Sequence, residues 1–156
     1  MSDTIKPLQG NAVIGQSGGP TAVINQSLVG VVEGLHAAPG FAGKILGARH
    51  AVDGMMAGDF LDLTDWPQDR LDRLAATPSS GLGSSRHKPS ADDVKAITKY
   101  FEEHDIRYFF FVGGNDSADG CRIVNDEAEK SGYELRCIHV PKTIDNDLPG
   151  NDHTPG

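Results

Sequence analysis

The segment at residues 107–112 constrains this chain more than any other. Tyr108-Phe109-Phe110-Phe111-Val112 is an unbroken apolar run that breaks at once on Gly113-Gly114. A half-solvated strand would interleave polar residues; a continuous run of this length marks a strand covered on both faces, as in a parallel sheet flanked by helices. The rest of the chain should then alternate strand and helix, and it does. Residues 12–16, Ala-Val-Ile-Gly-Gln, read as a short buried strand ending in Ser17-Gly18-Gly19-Pro20. A helix pattern comes next, with Ile24, Leu28, Val31, Val32 and Leu35 on one face and Gly34 near its end. Pro20 suits the first turn of that helix, where a missing N–H does no harm.

Residues 44–48 read as a second strand. Residues 50–68, with Gly54, Gly58 and Trp66-Pro67, read as loop with one short strand, and a short helix is expected over 68–76. Residues 77–89 form a Ser/Gly-rich loop. Ser90 with Asp93 resembles a capping box, and Val94, Ile97 and Phe101 carry a helical stripe to about His104. After the central strand, a helix bearing Cys121, Val124 and Ala128 should stop near Ser131-Gly132. Residues 135–140 are a further strand closed by Pro141, and 142–156 are turn chemistry. The expected fold class is α/β, a parallel sheet flanked by helices with right-handed crossovers, preceded by a loose leader over residues 1–10.

A chain of 156 residues is long enough to bury roughly two-thirds of its unfolded surface in one core. Its charge, 14 basic against 22 acidic residues for a net −8, argues against nucleic-acid or anionic-membrane partners, which want a basic surface. No stretch approaches the roughly 18 apolar residues a membrane span needs. The two cysteines, Cys121 and Cys137, form no metal-type pair and read as reduced core thiols of a cytoplasmic protein. The six histidines lack the i, i+4 spacing of a helical metal site.

Ligands of such sheets gather beyond the carboxyl ends of the strands. Residues 17–20, 113–117 and 141–147 each directly follow a strand, so three sequence-distant loops should meet at one crevice. Ser17-Gly18-Gly19 lets backbone N–H groups approach an anion, although such glycines also make ordinary tight turns. Gly113-Gly114-Asn115-Asp116-Ser117 repeats the arrangement; Asn115, Asp116 or Ser117 could equally cap the next helix. Walker A and dinucleotide glycine spacings are absent. Pro141-Lys142-Thr143-Ile144-Asp145-Asn146-Asp147 supplies two carboxylates and a cation, the parts that phosphoryl transfer to a hydroxyl needs; its composition also fits an exposed Asx-rich turn.

These motifs, with Gly83-Ser84-Ser85-Arg86 between them, occur in the order found in phosphofructokinases, and the lysine form of the last heptapeptide resembles the pyrophosphate-dependent branch. The resemblance runs from about residue 11 to residue 156. It implies a Rossmann-like, three-layer N-terminal domain that binds phosphate donor and substrate, incomplete here because a family subunit continues well beyond this length. The implied reaction is transfer from pyrophosphate to the 1-hydroxyl of fructose 6-phosphate, with Mg²⁺, in a homo-oligomer.

By matching position, the resemblance makes Asp145 the base for that hydroxyl, and lines the sugar-phosphate site with Thr143, Ile144 and Asp147. Gly18, Gly19, Arg86, Gly114 and Ser117 would hold the donor. Family ATP enzymes have glycine where Asp116 and Lys142 stand, so Asp116 would repel a nucleotide's inner phosphate while Lys142 grips pyrophosphate. A carboxylate about 4 Å from such a phosphate would cost about 4 kcal/mol at an effective dielectric of 20. Asn115 stands where many members have a magnesium-linked aspartate, leaving Asp116 to share the metal. Pro20 replaces an acidic residue of the ATP type. Three alternatives stay open: the ATP-dependent enzyme, a non-catalytic anion-binding module, and a nicotinamide-nucleotide kinase, which would leave 141–147 unexplained. An isolated piece of a subunit is expected to be inactive and to expose apolar surface.

Overall fold

The computed structural model describes residues 6–156. Residues 1–5 of the expected leader lie outside the described residues. The remainder of that leader is tied down at Leu8: its N–H donates to the Tyr108 hydroxyl at 2.8 Å, and that hydroxyl donates to the Leu8 carbonyl at 3.1 Å.

Five strands form one sheet. They are β1 (Asn11–Gln16), β2 (Ile45–Ala48), β3 (Phe60–Asp62), β4 (Ile106–Gly113) and β5 (Arg136–Pro141), in the order β3-β2-β1-β4-β5. All pairings are parallel except the antiparallel edge pair β2–β3. The chain winds outward from β1 to β2, then returns to place β4 on β1's other side. That reversal opens a crevice at the carboxyl ends of β1 and β4, where ligands of such sheets bind.

The two-sided burial read from the apolar run holds. On one face Phe109 and Phe111 pack with α2 (Val52–Ala57), α4 (Ala91–Glu103) and α5 (Asn115–Ser131). On the other, Tyr108, Phe110 and Val112 pack with α1 (Ile24–Ala37) and α3 (Gln68–Ala75). Strand alternation accounts for the split. Near its start β4 carries a register shift opposite Asn11/Ala12, which puts Ile106 on the same face as Phe109. The Ser90–Asp93 capping box is formed as expected, with the Ser90 hydroxyl accepting from the Asp93 N–H.

Two local expectations are corrected. Pro20 does not enter α1, which begins only at Ile24; residues 20–23 are consumed by a turn in which the Ile24 N–H donates to the Thr21 carbonyl at 3.2 Å. Residues 50–68 contain a helix, α2, as well as the short strand. Six residues give too short a window for a 3.6-residue period to show, and the helix is launched by positive φ angles at His50 and Ala51 that composition does not announce.

The Ser/Gly-rich loop at 77–89 is irregular but firmly held. Buried Gln16 accepts from the Ser80 hydroxyl (2.7 Å) and the Leu82 N–H (2.9 Å), and its amide donates to the Ile24 carbonyl. Asn25, also buried, donates to the carbonyls of Thr77 and Ser79 and accepts from the Gly81 N–H, each at 2.8 Å. Two side chains of the β1–α1 unit thus supply partners that a buried irregular backbone must find. Beside the outer strand β5 lies an apolar crevice of about 610 Å³, floored by Phe41, Tyr108 and Phe110, with Ile138 exposed at its rim.

Candidate active site

The three strand-end loops do converge. A crevice of about 720 Å³ is lined by Gly18 and Gly19 after β1, Gly114 to Ser117 after β4, and Lys142 to Asp145 with Asp147 after β5. Arg86, His87 and Lys88 of the 77–89 loop close a further side. Every site residue singled out from the sequence lines this one space.

The loops are fastened by backbone geometry. Gly18 has φ +76, a left-handed conformation in which glycine avoids the steric cost of a side chain. Its N–H donates to the Ser85 carbonyl at 3.0 Å, and its carbonyl accepts from the Ser84 hydroxyl. Gly113 is required for space: a Cβ there would run into the Ser117 side chain. Its carbonyl accepts both the Lys142 N–H (3.1 Å) and a bond with His139 Nε2 (3.0 Å), joining the β4 and β5 loops. Burial keeps His139 below the usual histidine range.

The two glycine pairs differ. After β1, residues 20–23 separate Gly18-Gly19 from α1, so that turn faces the crevice with backbone alone. After β4, Gly114 is itself the N-cap of α5 and no side chain caps the helix. Asn115, Asp116 and Ser117 do not take the capping role. The first-turn N–H groups are left for a ligand at the positive end of a 17-residue helix, favourable for an anion.

Lys142 is the electrostatic centre. It is only 4% exposed, and its Nζ donates to the Gly19 carbonyl at 2.5 Å. A carbonyl satisfies a proton of the ammonium but does not neutralise its charge. Burial lowers the Lys142 pKa, Arg86 lowers it further, and Asp145 and Asp147 oppose both. Arg86 reaches the same turn: a Cβ on Gly19 would stand 3.4 Å from its guanidinium. Two cations therefore flank the glycine turn, a local positive potential in an acidic chain.

Carboxylates share the crevice. Asp145 and Asp147 line the crevice, in a turn whose Asn146 adopts φ +53. The Asp145 N–H donates to the buried Thr143 hydroxyl at 3.1 Å, which fixes the first residue of that turn. Ile144 is 70% exposed. Asp116 projects from the first turn of α5 with its side chain 81% exposed, 3.8 Å from the Lys88 ammonium. No group of three or more His, Cys, Asp or Glu side chains forms a metal cage among the described residues. Asn115 and Asp116 instead offer adjacent hard oxygen donors, the kind of partial set that holds Mg²⁺ together with substrate phosphates and water.

Sequence reasoning missed the anchors of the 84–88 segment. The Asp53 carboxylate accepts from the Ser85 hydroxyl (2.7 Å) and bonds His87 Nδ1 (2.7 Å), while His87 Nε2 lies 3.2 Å from Asp93. The one available signal was the basic triplet Arg86-His87-Lys88 in an acidic chain.

Comparison with known proteins identifies the family and the fold. The family described as phosphofructokinase matches residues 11–156. The pyrophosphate–fructose 6-phosphate 1-phosphotransferase of Rhodospirillum rubrum is 52% identical over 148 residues, 95% of this chain and 36% of that protein. The protein of the same name from Halomonas elongata is 41% identical over 153 residues, again 95% of this chain and 36% of that protein. The crystal structure of a pyrophosphate-dependent phosphofructokinase from Nitrosospira multiformis superimposes with a TM-score of 0.88 at 41% identity, covering 94% of this chain and 37% of that one. The chain thus spans a little over a third of the length of these relatives.

Proposed function

Since the chain belongs to the phosphofructokinase family, we propose that it forms the phosphate-donor and substrate domain, residues 11–156, of an enzyme that transfers a phosphoryl group from pyrophosphate to the 1-hydroxyl of fructose 6-phosphate. The observation that carries this reading is Lys142, buried against the Gly19 carbonyl with its charge unneutralised by that contact, at the centre of the crevice. A compact cation beside a glycine turn suits a small, highly charged donor.

In this reading the donor diphosphate lies between the 18–19 turn and the first turn of α5, held by Lys142, Arg86, the Gly114–Ser117 backbone and the Gly18–Gly19 backbone. Asp145 accepts the proton of the attacking sugar hydroxyl, and the Thr143 hydroxyl holds the turn that presents it. Ile144 and Asp147 line the sugar-phosphate side. Magnesium, when bound with the donor, would be shared by Asn115 and Asp116 and would neutralise charge on the transferring group. Asp116 fills the space in which a nucleotide's inner phosphate would lie and repels it. Its high exposure means that water screens this repulsion well below the interior value. Charge neutralisation and alignment, rather than covalent chemistry, do most of the catalysis.

No helix of the described residues is long and apolar enough to cross a membrane. Free Cys121 and Cys137 fit a reducing cytoplasm, and a homo-oligomeric full-length protein is part of the proposal.

The test is Asp145→Asn in the full-length gene product. Turnover should fall by at least about 100-fold, the scale of a lost general base, while pyrophosphate affinity stays within a factor of about three of wild type. If both are unchanged, Asp145 is not the base; a wild-type protein that binds pyrophosphate but turns over no fructose 6-phosphate would instead favour an anion-binding module without catalysis.

A further inference from the structure

We propose that His87 is a positioning residue: by bonding Asp53 through Nδ1 and Asp93 through Nε2, it clamps the 84–88 segment so that Arg86 and Lys88 enter the crevice. This deepens the proposed function and rests on it, because the anion that the two cations meet is the phosphoryl donor.

The segment meets the chain just past the end of β1, where Ser85 is bridged to Ser17 in parallel fashion. Alternate residues of such a stretch point to opposite sides. Ser85 and His87 both bond the Asp53 carboxylate, and the His87 N–H donates to the Ser85 hydroxyl at 3.0 Å. Arg86 and Lys88, which line the crevice together with His87, turn to other partners. Arg86 approaches the Gly19 turn, whereas Lys88 reaches Asp116 and Asp119 at 3.8 and 3.7 Å. One histidine therefore separates a cation serving the donor turn from a cation serving α5. The clamp ties three parts of the chain to the site: α2 through Asp53, α4 through Asp93, and the turn after β1 through the Ser85 carbonyl, which accepts from the Gly18 N–H.

An imidazole that meets a carboxylate at each nitrogen satisfies both only when it is doubly protonated. Asp53 is the larger of the two influences holding the His87 pKa above the ordinary histidine value, and Asp93 acts in the same direction. The Asp53 pKa is lowered by Ser85 and His87, and that of Asp93 chiefly by Ser90. The titratable and charged groups around the ring are Asp53 of α2 with His50 nearby, Asp93 of α4, and Arg86 and Lys88 within its own segment. A raised histidine pKa means that the clamp is intact below the ordinary histidine value and is lost as pH climbs through the raised one. Lowered carboxylate values mean that it is also lost as pH falls through them.

The experiment measures pyrophosphate affinity and steady-state kinetics in the full-length gene product, using His87→Ala, His87→Asn, Arg86→Ala and the double variant His87→Ala/Arg86→Ala. Loss of a charge-assisted positioning contact predicts a pyrophosphate KM raised roughly tenfold in His87→Ala, with the fructose 6-phosphate KM within about twofold of wild type. His87→Asn keeps an amide near the Nδ1 position and should recover part of the loss. It should also flatten the alkaline rise in pyrophosphate KM that the clamp predicts for wild type. Because His87 acts through Arg86, the double variant should lose much less than the product of the single losses. A lowered melting temperature with unchanged pyrophosphate KM, or fully multiplicative losses, overturns the clamp. A wild-type protein that binds no pyrophosphate overturns the functional reading itself, and the clamp's assignment to the donor falls with it.

Discussion

The ammonium of Lys142 lies 2.5 Å from the carbonyl oxygen of Gly19, a residue 123 positions earlier in the chain. This bond links the loop after β5 to the turn after β1 across the intervening strand β4. It places a buried positive charge where two glycines leave the backbone open.

Lys142→Arg is therefore not conservative. The lysine is 4% exposed and its ammonium already lies against the Gly19 carbonyl, so a longer, planar guanidinium must displace the glycine turn. The variant should raise the pyrophosphate KM by roughly tenfold or more, as should Lys142→Met, which removes the charge. Steady-state kinetics with each substrate varied in turn checks this. Recovery of wild-type donor affinity by arginine would show that only the charge matters.

Donor choice can be probed by subtraction. Asp116→Gly/Lys142→Gly should weaken pyrophosphate binding and allow ATP to compete, because a carboxylate and a buried ammonium are replaced by open space. The gain for ATP should be smaller than the roughly 4 kcal/mol of a 4 Å contact at an effective dielectric of 20, since Asp116 is largely exposed and screened by water. Competition of ATP against pyrophosphate, titrated in both proteins, measures it. An unchanged ATP affinity would remove both residues from the account of specificity.

Two glycines predict opposite stability effects. Gly113→Ala forces a methyl into the Ser117 side chain at the junction of β4 and α5, and should destabilise by about 1–3 kcal/mol or more. Gly34→Ala, in α1 with nothing within 4 Å of the new Cβ, should stabilise by about 0.5–1 kcal/mol. Thermal unfolding of the two full-length variants beside wild type separates them. A Gly113→Ala protein as stable as wild type would mean that α5 can shift without cost, which the tight site geometry does not allow.

Much of this arrangement is legible in the residues themselves. The unbroken run at 108–112 signals a strand buried on both sides, and the glycine-bearing loops after β1 and β4, with the Asx-rich loop after β5, mark the crevice. The features that escape such reading are held by contacts between distant residues. Gln16 and Asn25 give no local sign that they would be buried to bind residues 77–82. His87 looks like a stray surface histidine until Asp53 and Asp93 arrive from two separate helices. The short helix α2 is hidden because its start depends on positive φ angles at two residues other than glycine. Pro20 misleads for a related reason, since proline fits a turn before a helix as readily as the helix's first turn.

The most direct test is the choice of donor by the full-length gene product. Initial rates of fructose 6-phosphate phosphorylation should be compared with pyrophosphate and with ATP, each with Mg²⁺ at matched concentration. Turnover with pyrophosphate and none above background with ATP is the predicted result. Turnover with ATP and none with pyrophosphate would contradict the role given to Lys142 and Asp116.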